Sequence, residues 1–364
     1  MTYKETLFFI GKCLTINQEK QNKIIVKNRL EANDIDWESI VKVSTAHYVF
    51  PALYCNLKKA NFLDFLPDDL VAYMKHITDL NRERNVSIIT QAKEINQLLL
   101  ANNITPIFLK GTGNLLEGLY DDIAERMVGD VDFIVQKNQY TKTIEILKKD
   151  GYHKETDKEH DMTFHWHYPP LLKENKLASV EVHKDILKDN YTYLLNYNTI
   201  SKNTIKKSPF VFESLNDKIL NALLPKIIND NLYDSKSFSL RTMYDTFLLF
   251  SKKENAKLDL RIEGKPAIKL NNVLSCIQLT LNLKTSVLNE ITTEKSYLKN
   301  YVKNLENSKT EKFKTYFFKY YTINKGRLNV FIKSFKNEEY RKYALKRLVC
   351  LDFYKRLIGI KPDV

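Results

Sequence analysis

The stretch that most constrains this chain is "GDVDFIV", residues 129–135. The apolar run Phe133, Ile134 and Val135 reads as a buried strand. Two carboxylates, Asp130 and Asp132, stand at its mouth. Side chains at i and i+2 of a strand share a face, so these two project together, about 7 Å apart at the backbone. Two carboxylates that close repel unless a cation lies between them. Oxygen-rich sites with room for water suit Mg2+. A third carboxylate on a neighbouring strand, about 5 Å away, would complete a two-metal clamp, and Glu181 is the candidate. A D-x-D is also the usual look of a solvated strand end, so its surroundings must decide.

Upstream, Ile104 to Leu109 forms a short apolar run that predicts a strand. Lys110, Gly111, Thr112 and Gly113 end it, and "NLLEGLY" reads as a helix. Backbone N–H groups at a helix start can hold phosphate, and Gly111 would allow close approach. The Walker A spacing is absent. After the D-x-D strand, "NQYTKTIEILKKDGY" predicts a helix stopped by Gly151. Period two then takes over. In "MTFHWHY", Phe164, Trp166 and Tyr168 alternate with His165 and His167. In "ASVEVHKDI", Val180 and Val182 alternate with Glu181 and His183. The two runs predict an antiparallel pair. His183 shares Glu181's face, which would place it near a metal site or near the group that such a site acts on. Five histidines cluster between His153 and His183, which leaves a His-ligated transition metal open. Trp166 reads as core.

The rest is helical. Short helices fill the first 66 residues, the first of them amphipathic, and "DWESIVKV" has the acidic start of a helix. Pro67 opens a helix to about Asn102 whose polar middle, "NRERN", predicts a crossing over an exposed gap. Beyond Asn190 helices return, with "KKENAKLDLRIEGKPAIKLNN" as a loop or small hairpin. The expected fold is α+β: a small mixed-sheet core over 103–190, an N-terminal helical region over 1–102, a helical region over 191–283, and a basic, aromatic-rich helical tail over 284–364.

At 364 residues, with 43% hydrophobic and 28% charged residues, the chain can bury a sizeable core and is not a disordered polyelectrolyte. No apolar run is long enough to span a bilayer, and the start lacks a signal-peptide pattern. Cys13, Cys55, Cys276 and Cys350 are scattered, without metal or disulfide spacing. Together these predict a cytoplasmic protein. Of the formal charge of +13, residues 284–364 carry +11, from 19 Lys/Arg against 8 Asp/Glu. That tail is either a solvated lysine-rich surface or a nucleic-acid contact.

Taken together, "FLKGTGNLLEGLYDDIAERMVGDVDFIVQ" resembles the nucleotidyltransferase superfamily that includes DNA polymerase beta. Within it, the sequence is most similar to a bacterial family usually called "uncharacterised nucleotidyltransferase". The residues that carry the resemblance are Leu109-Lys110-Gly111, Tyr120, Arg126, Asp130-Val131-Asp132 and Val180-Glu181-Val182-His183, with Arg241 and Asp245 on a later helix. A histidine usual in the family's downstream helix is missing from "NALLPKIIND", and "AERMVGD" is a loose match. Abortive-infection toxin nucleotidyltransferases look like more distant relatives.

The resemblance implies transfer of NMP from an NTP to a hydroxyl acceptor with two Mg2+ ions. Asp130 and Asp132 would hold both ions, and Glu181 would hold the one nearer the acceptor. Lys110, Gly111, Thr112 and Arg126 would bind phosphate. Lys110 could equally be a surface lysine, and Arg126 a partner for an acid such as Asp122. The acceptor could be a small molecule, or RNA such as a tRNA end reached through the tail. The alternatives are a toxin acting on tRNA and a non-catalytic nucleotide- or RNA-binding protein.

Overall fold

The computed structural model describes residues 1–154, 165–252, 262–283, 294–306, 320–321 and 324–348. Five helices precede the sheet: α1 (Tyr3–Leu14), α2 (Lys20–Glu31), α3 (Trp37–Ala46), α4 (Phe50–Lys59) and α5 (Asp68–Ala101). Asp36 caps α3 by accepting from the Ser39 N–H. Pro67 stands at the N-cap of α5, and Asp68 and Asp69 in the first turn complement the helix dipole.

The sheet region follows as β1 (Ile107–Phe108), α6 (Lys110–Glu117), β2 (Asp130–Ile134), α7 (Tyr140–Lys149), β3 (His153–Lys154), β4 (Leu171–Leu172), β5 (Ser179–His183), α8 (Tyr197–Ser201), β6 (Ile205–Lys207) and β7 (Phe210–Phe212). Among the described residues the strands form one seven-stranded sheet in the order β3-β4-β5-β2-β1-β7-β6. Its pairing is mixed: β2 runs parallel to β5 and antiparallel to β1, and β1 runs parallel to β7. Val131, Phe133, Val180 and Val182 are fully buried. By strand alternation they point away from the acidic face. Among the described residues the later helices include α9 (Leu215–Ile228), α10 (Leu232–Ser235), α11 (Leu240–Ser251), α12 (Gly264–Leu281) and α13 (Lys295–Glu306), with further helices over 324–334 and Glu338–Leu348. The arrangement is α+β, a mixed sheet with helices on both sides of it in the sequence.

The first helix is amphipathic as expected, with Leu7, Ile10, Cys13 and Leu14 buried and Lys4, Glu5 and Lys12 on its less buried side. A Cβ on Gly11 would stand 2.8 Å from the Thr280 carbonyl of α12. Other expectations change. The polar middle of α5 crosses no exposed gap. Asn81 and Asn85 are buried. Asn81 Nδ2 donates to Ala124 O at 2.7 Å, and Asn85 Nδ2 donates to Ile123 O at 2.6 Å and Arg126 O at 2.7 Å. Arg82 pairs with Asp122. These side chains satisfy the carbonyls of an irregular segment that a helix or sheet would otherwise satisfy. The segment leads directly into β2.

Among the described residues of "MTFHWHY", 165–168, the expected strand is a single antiparallel bridge, His167 to His183, with Tyr168 N–H donating to Val182 O at 2.9 Å. Pro169 and Pro170 have no N–H to continue the ladder. Met162–Phe164 lie outside the described residues. The loop or hairpin expected after Lys252 is helical from Gly264 onward, and 253–261 lie outside the described residues. So does much of the 284–364 tail; its described parts, 295–306, 324–334 and 338–348, are helical.

Gly113 faces β1 so closely that a Cβ there would stand 2.7 Å from the Phe108 carbonyl oxygen. Gly113→Ala is expected to destabilise the chain by about 1–3 kcal/mol, the usual cost of overpacking. At Gly129 a Cβ meets nothing within 4 Å, and Gly129→Ala is expected to stay within about 0.5 kcal/mol. Urea unfolding of the two variants checks the contrast, and equal losses would contradict it.

Candidate active site

Register brings the acidic residues together. In the parallel β2–β5 pair, Asp130 lies opposite Ser179, Asp132 opposite Glu181, and Ile134 opposite His183. Asp130, Asp132, Glu181 and His183 therefore share one face of the sheet. His183 Nε2 lies 2.8 Å from Asp132 Oδ1 and 3.6 Å from Glu181 Oε2. Ligand atoms of Asp132, Glu181 and His183 all fall within 4.8 Å of one another, a spacing that could hold a metal ion.

Lys110 closes the other side. It begins α6 with φ at 49°, a left-handed conformation costly for a side chain with a Cβ. Its Nζ sits 2.7 Å from Asp132 Oδ1. The β1–β2 ladder holds the backbone there, with Leu109 N–H donating to Asp132 O at 2.9 Å. Thr112 Oγ1 donates to Asp130 O at 2.6 Å, so its hydroxyl ties α6 to β2. A Cβ on Gly111 would stand 3.2 Å from Arg126 Nη2, so that glycine makes room for a guanidinium.

Charge is unevenly shared among the acids. Asp130 is pushed up to about 6, first by the charge of Asp132 and then by burial. Burial also works to raise Asp132, but Lys110 and His183 outweigh it and hold that carboxyl well below its usual range. His183 moves the other way. Burial and Lys110 lower its pKa, and the neighbouring carboxylates Asp132 and Glu181 more than reverse this. Asp132 is thus a firm anion, and Asp130 is the acid that feels the crowding. A bound dication would relieve that repulsion.

Arg126 does not pair with Asp122, which belongs to Arg82. Its Nε donates to Asp245 Oδ2 at 2.9 Å, and both side chains are about nine-tenths buried. Tyr120 Oη donates to Asp245 Oδ1 at 2.8 Å. The motif residues Tyr120, Arg126 and Asp245 therefore form one buried unit. Arg241, one turn before Asp245, has an Nε that is buried without a hydrogen-bond partner.

These groups open on a cavity of about 360 Å³. Lys110, Arg126, Asp130, Asp132, Glu181 and His183 line it together with residues of α9 and α11. Trp166, read as core from the sequence, and His167 also line it. Sequence reading missed Glu213 and the α9 wall. Glu213 follows β7, and burial pushes its carboxyl up to about 8, although Asn221 Nδ2 donates to both of its oxygens at 3.1 Å. Its one sequence signal is an acid at the end of the "FVF" run.

The raised Glu213 pKa fixes a sign. Its contribution to stability is complete below the ordinary value of 4.5 and is lost as pH rises to about 8. Glu213→Gln cannot ionise. It is therefore expected to gain more in Tm over the unaltered chain at about pH 8 than at about pH 5. Thermal unfolding at both pH values checks this, and an equal offset at the two would refute it.

A search of curated proteins finds no match for the chain. A family model described as "Uncharacterised nucleotidyltransferase" matches residues 33–271. That match spans most of the chain and contains the acidic face, Lys110, the Arg126–Asp245 pair and the α9 wall. The chain belongs to the uncharacterised nucleotidyltransferase family.

Proposed function

We propose that the chain transfers a nucleoside monophosphate from an NTP to a hydroxyl acceptor, with two divalent cations at Asp130, Asp132 and Glu181. The observation that carries this reading is the pairing of Asp132 directly opposite Glu181, with Asp130 on the same face and basic side chains around them. The donor set fits the ions, since three acids crowd one face and repel strongly enough to raise Asp130. Bound there, the cations would neutralise the attacking and leaving oxygens.

The chain's own residues do the rest. Lys110 is a third exposed and can turn from Asp132 toward phosphate. Arg126, fixed by Asp245, presents Nη2 above Gly111. Arg241, with its unpartnered Nε, adds a second guanidinium at the cavity wall. The three cations suit a triphosphate better than any single anion. The acceptor hydroxyl would attack the α-phosphorus, its proton passing to the Glu181 carboxylate. The α–β bridging P–O bond would break and pyrophosphate would leave. Much of the rate would come from positioning and charge.

The enclosing α9 wall favours a small acceptor or a single nucleotide end over a long duplex. A nucleic-acid acceptor reached through residues 284–364 is the alternative that the acceptor screen decides. The test uses α-labelled NTPs with Mg2+ and either small hydroxylated compounds or RNA. Asp130→Asn, Asp132→Asn and Glu181→Gln are each expected to lower transfer more than about 100-fold, beyond the cost of losing an outer-sphere partner. Each should keep cooperative unfolding. Full activity in all three would overturn the assignment. Nucleotide binding without transfer to any acceptor would favour a binding protein.

A further inference from the structure

We propose that the cation position between Asp132, Glu181 and His183 is a mixed nitrogen–oxygen site that takes a first-row transition dication in preference to Mg2+. His183 Nε2 is a direct ligand of that ion, and His167 stands ready beside it. The position rests on the nucleotidyl-transfer reading for its role, as the cation site nearer the acceptor. Its metal chemistry stands on geometry.

The spacing is that of a coordination sphere. Ligands about 2.1 Å from one ion lie about 3.0 Å apart at right angles and about 3.4 Å apart in a tetrahedron. Here Nε2 of His183 is 2.8 Å from Asp132 Oδ1 and 3.6 Å from Glu181 Oε2. Nε2 of His167 is 3.9 Å from the same Glu181 oxygen. The last two separations are too long for hydrogen bonds. Glu181 Oε2 thus sits between two imidazole nitrogens without bonding closely to either.

Both rings are turned the same way. His183 Nδ1 lies 3.4 Å from Asp185 O, and His167 Nδ1 lies 2.7 Å from Tyr168 O. A ring whose Nδ1 faces a backbone carbonyl can donate Nδ1–H there and turn Nε2 to a metal, as metal-binding histidines do. Without an ion, His183 Nε2–H donates to the Asp132 carboxylate at 2.8 Å, and a cation bound there would displace that proton and take the Nε2 lone pair. The rings are also held by backbone. His183 is in β5, and the single bridge between His167 and His183 brings the second ring to a centroid distance of 5.1 Å.

Donor chemistry selects the ion. Mg2+ favours oxygen ligands and retained waters, whereas imidazole suits later first-row dications. The Asp130–Asp132 position offers only oxygens and remains suited to Mg2+ with the triphosphate. The two positions of one active site would then differ in metal preference.

Mn2+ is the probe, because pulsed EPR detects nitrogen bound to it. The full chain, stripped of metal, is titrated with Mn2+ and competed with Mg2+ and Zn2+. The expected spectrum shows 14N modulation that changes when histidine is supplied as 15N-histidine. Mg2+ is expected to compete more than 10-fold more weakly than Mn2+, and Zn2+ to displace Mn2+. His183→Gln should remove the modulation or weaken Mn2+ binding more than 10-fold. Glu181→Gln, at a partly exposed position, should weaken Mn2+ binding likewise and serves if His183→Gln does not fold. Bound Mn2+ without nitrogen coupling, coupling unchanged in a folded His183→Gln, or Mg2+ competing equally would overturn the proposal. Transfer supported by Mg2+ with no nitrogen coupling would defeat this inference alone. Nitrogen-coupled Mn2+ with no transfer would defeat the catalytic reading alone.

Discussion

The site depends on the parallel pairing of β2 with β5. That register sets Asp132 opposite Glu181 and puts Asp130 and His183 on the same face. A one-residue slip would turn the acids into the core and the valines outward. Four fully buried side chains, Val131, Phe133, Val180 and Val182, forbid the slip. The apolar face therefore fixes the position of the polar one. A carboxylate as buried as Asp132 persists only because Lys110 and His183 stand against it.

The approach to β2 is held as firmly. The chain between α6 and β2 has little regular structure beyond one short turn at Ile123–Glu125. Its carbonyls are met by Asn81 and Asn85 from the middle of α5. Arg126, in the same segment, is locked by Asp245 from α11. A helix before the sheet and a helix after it thus fix one arginine beside the acids. This links the N- and C-terminal helical regions to the site, and the family match from residue 33 to 271 spans all three.

The sequence made the acidic face legible because period two is a strict geometric rule. Asp130, Asp132, Glu181 and His183 follow from alternation alone, once their segments are read as strands. The long helix from Pro67 was legible in its apolar period. Its polar middle was misread, because an asparagine that serves a distant carbonyl looks the same in sequence as one that faces water. Arg126 and Asp245 are 119 residues apart, and no local pattern can pair them. Glu213 was invisible for a similar reason. Its burial comes from β7 joining β1 across more than a hundred residues, and the "FVF" run is too short to declare itself. The "MTFHWHY" run alternates like a strand but ends at two prolines, and its described residues, 165–168, make one bridge instead of a ladder.

The most direct test of the central claim is thermal unfolding with each common NTP, with and without a divalent cation. A ligand that binds only the folded chain raises Tm by mass action. The account predicts a rise that needs both an NTP and the cation and disappears when Asp130 and Asp132 are both changed to Asn. No rise with any NTP at saturating concentration, or a rise that survives loss of both aspartates, would contradict it.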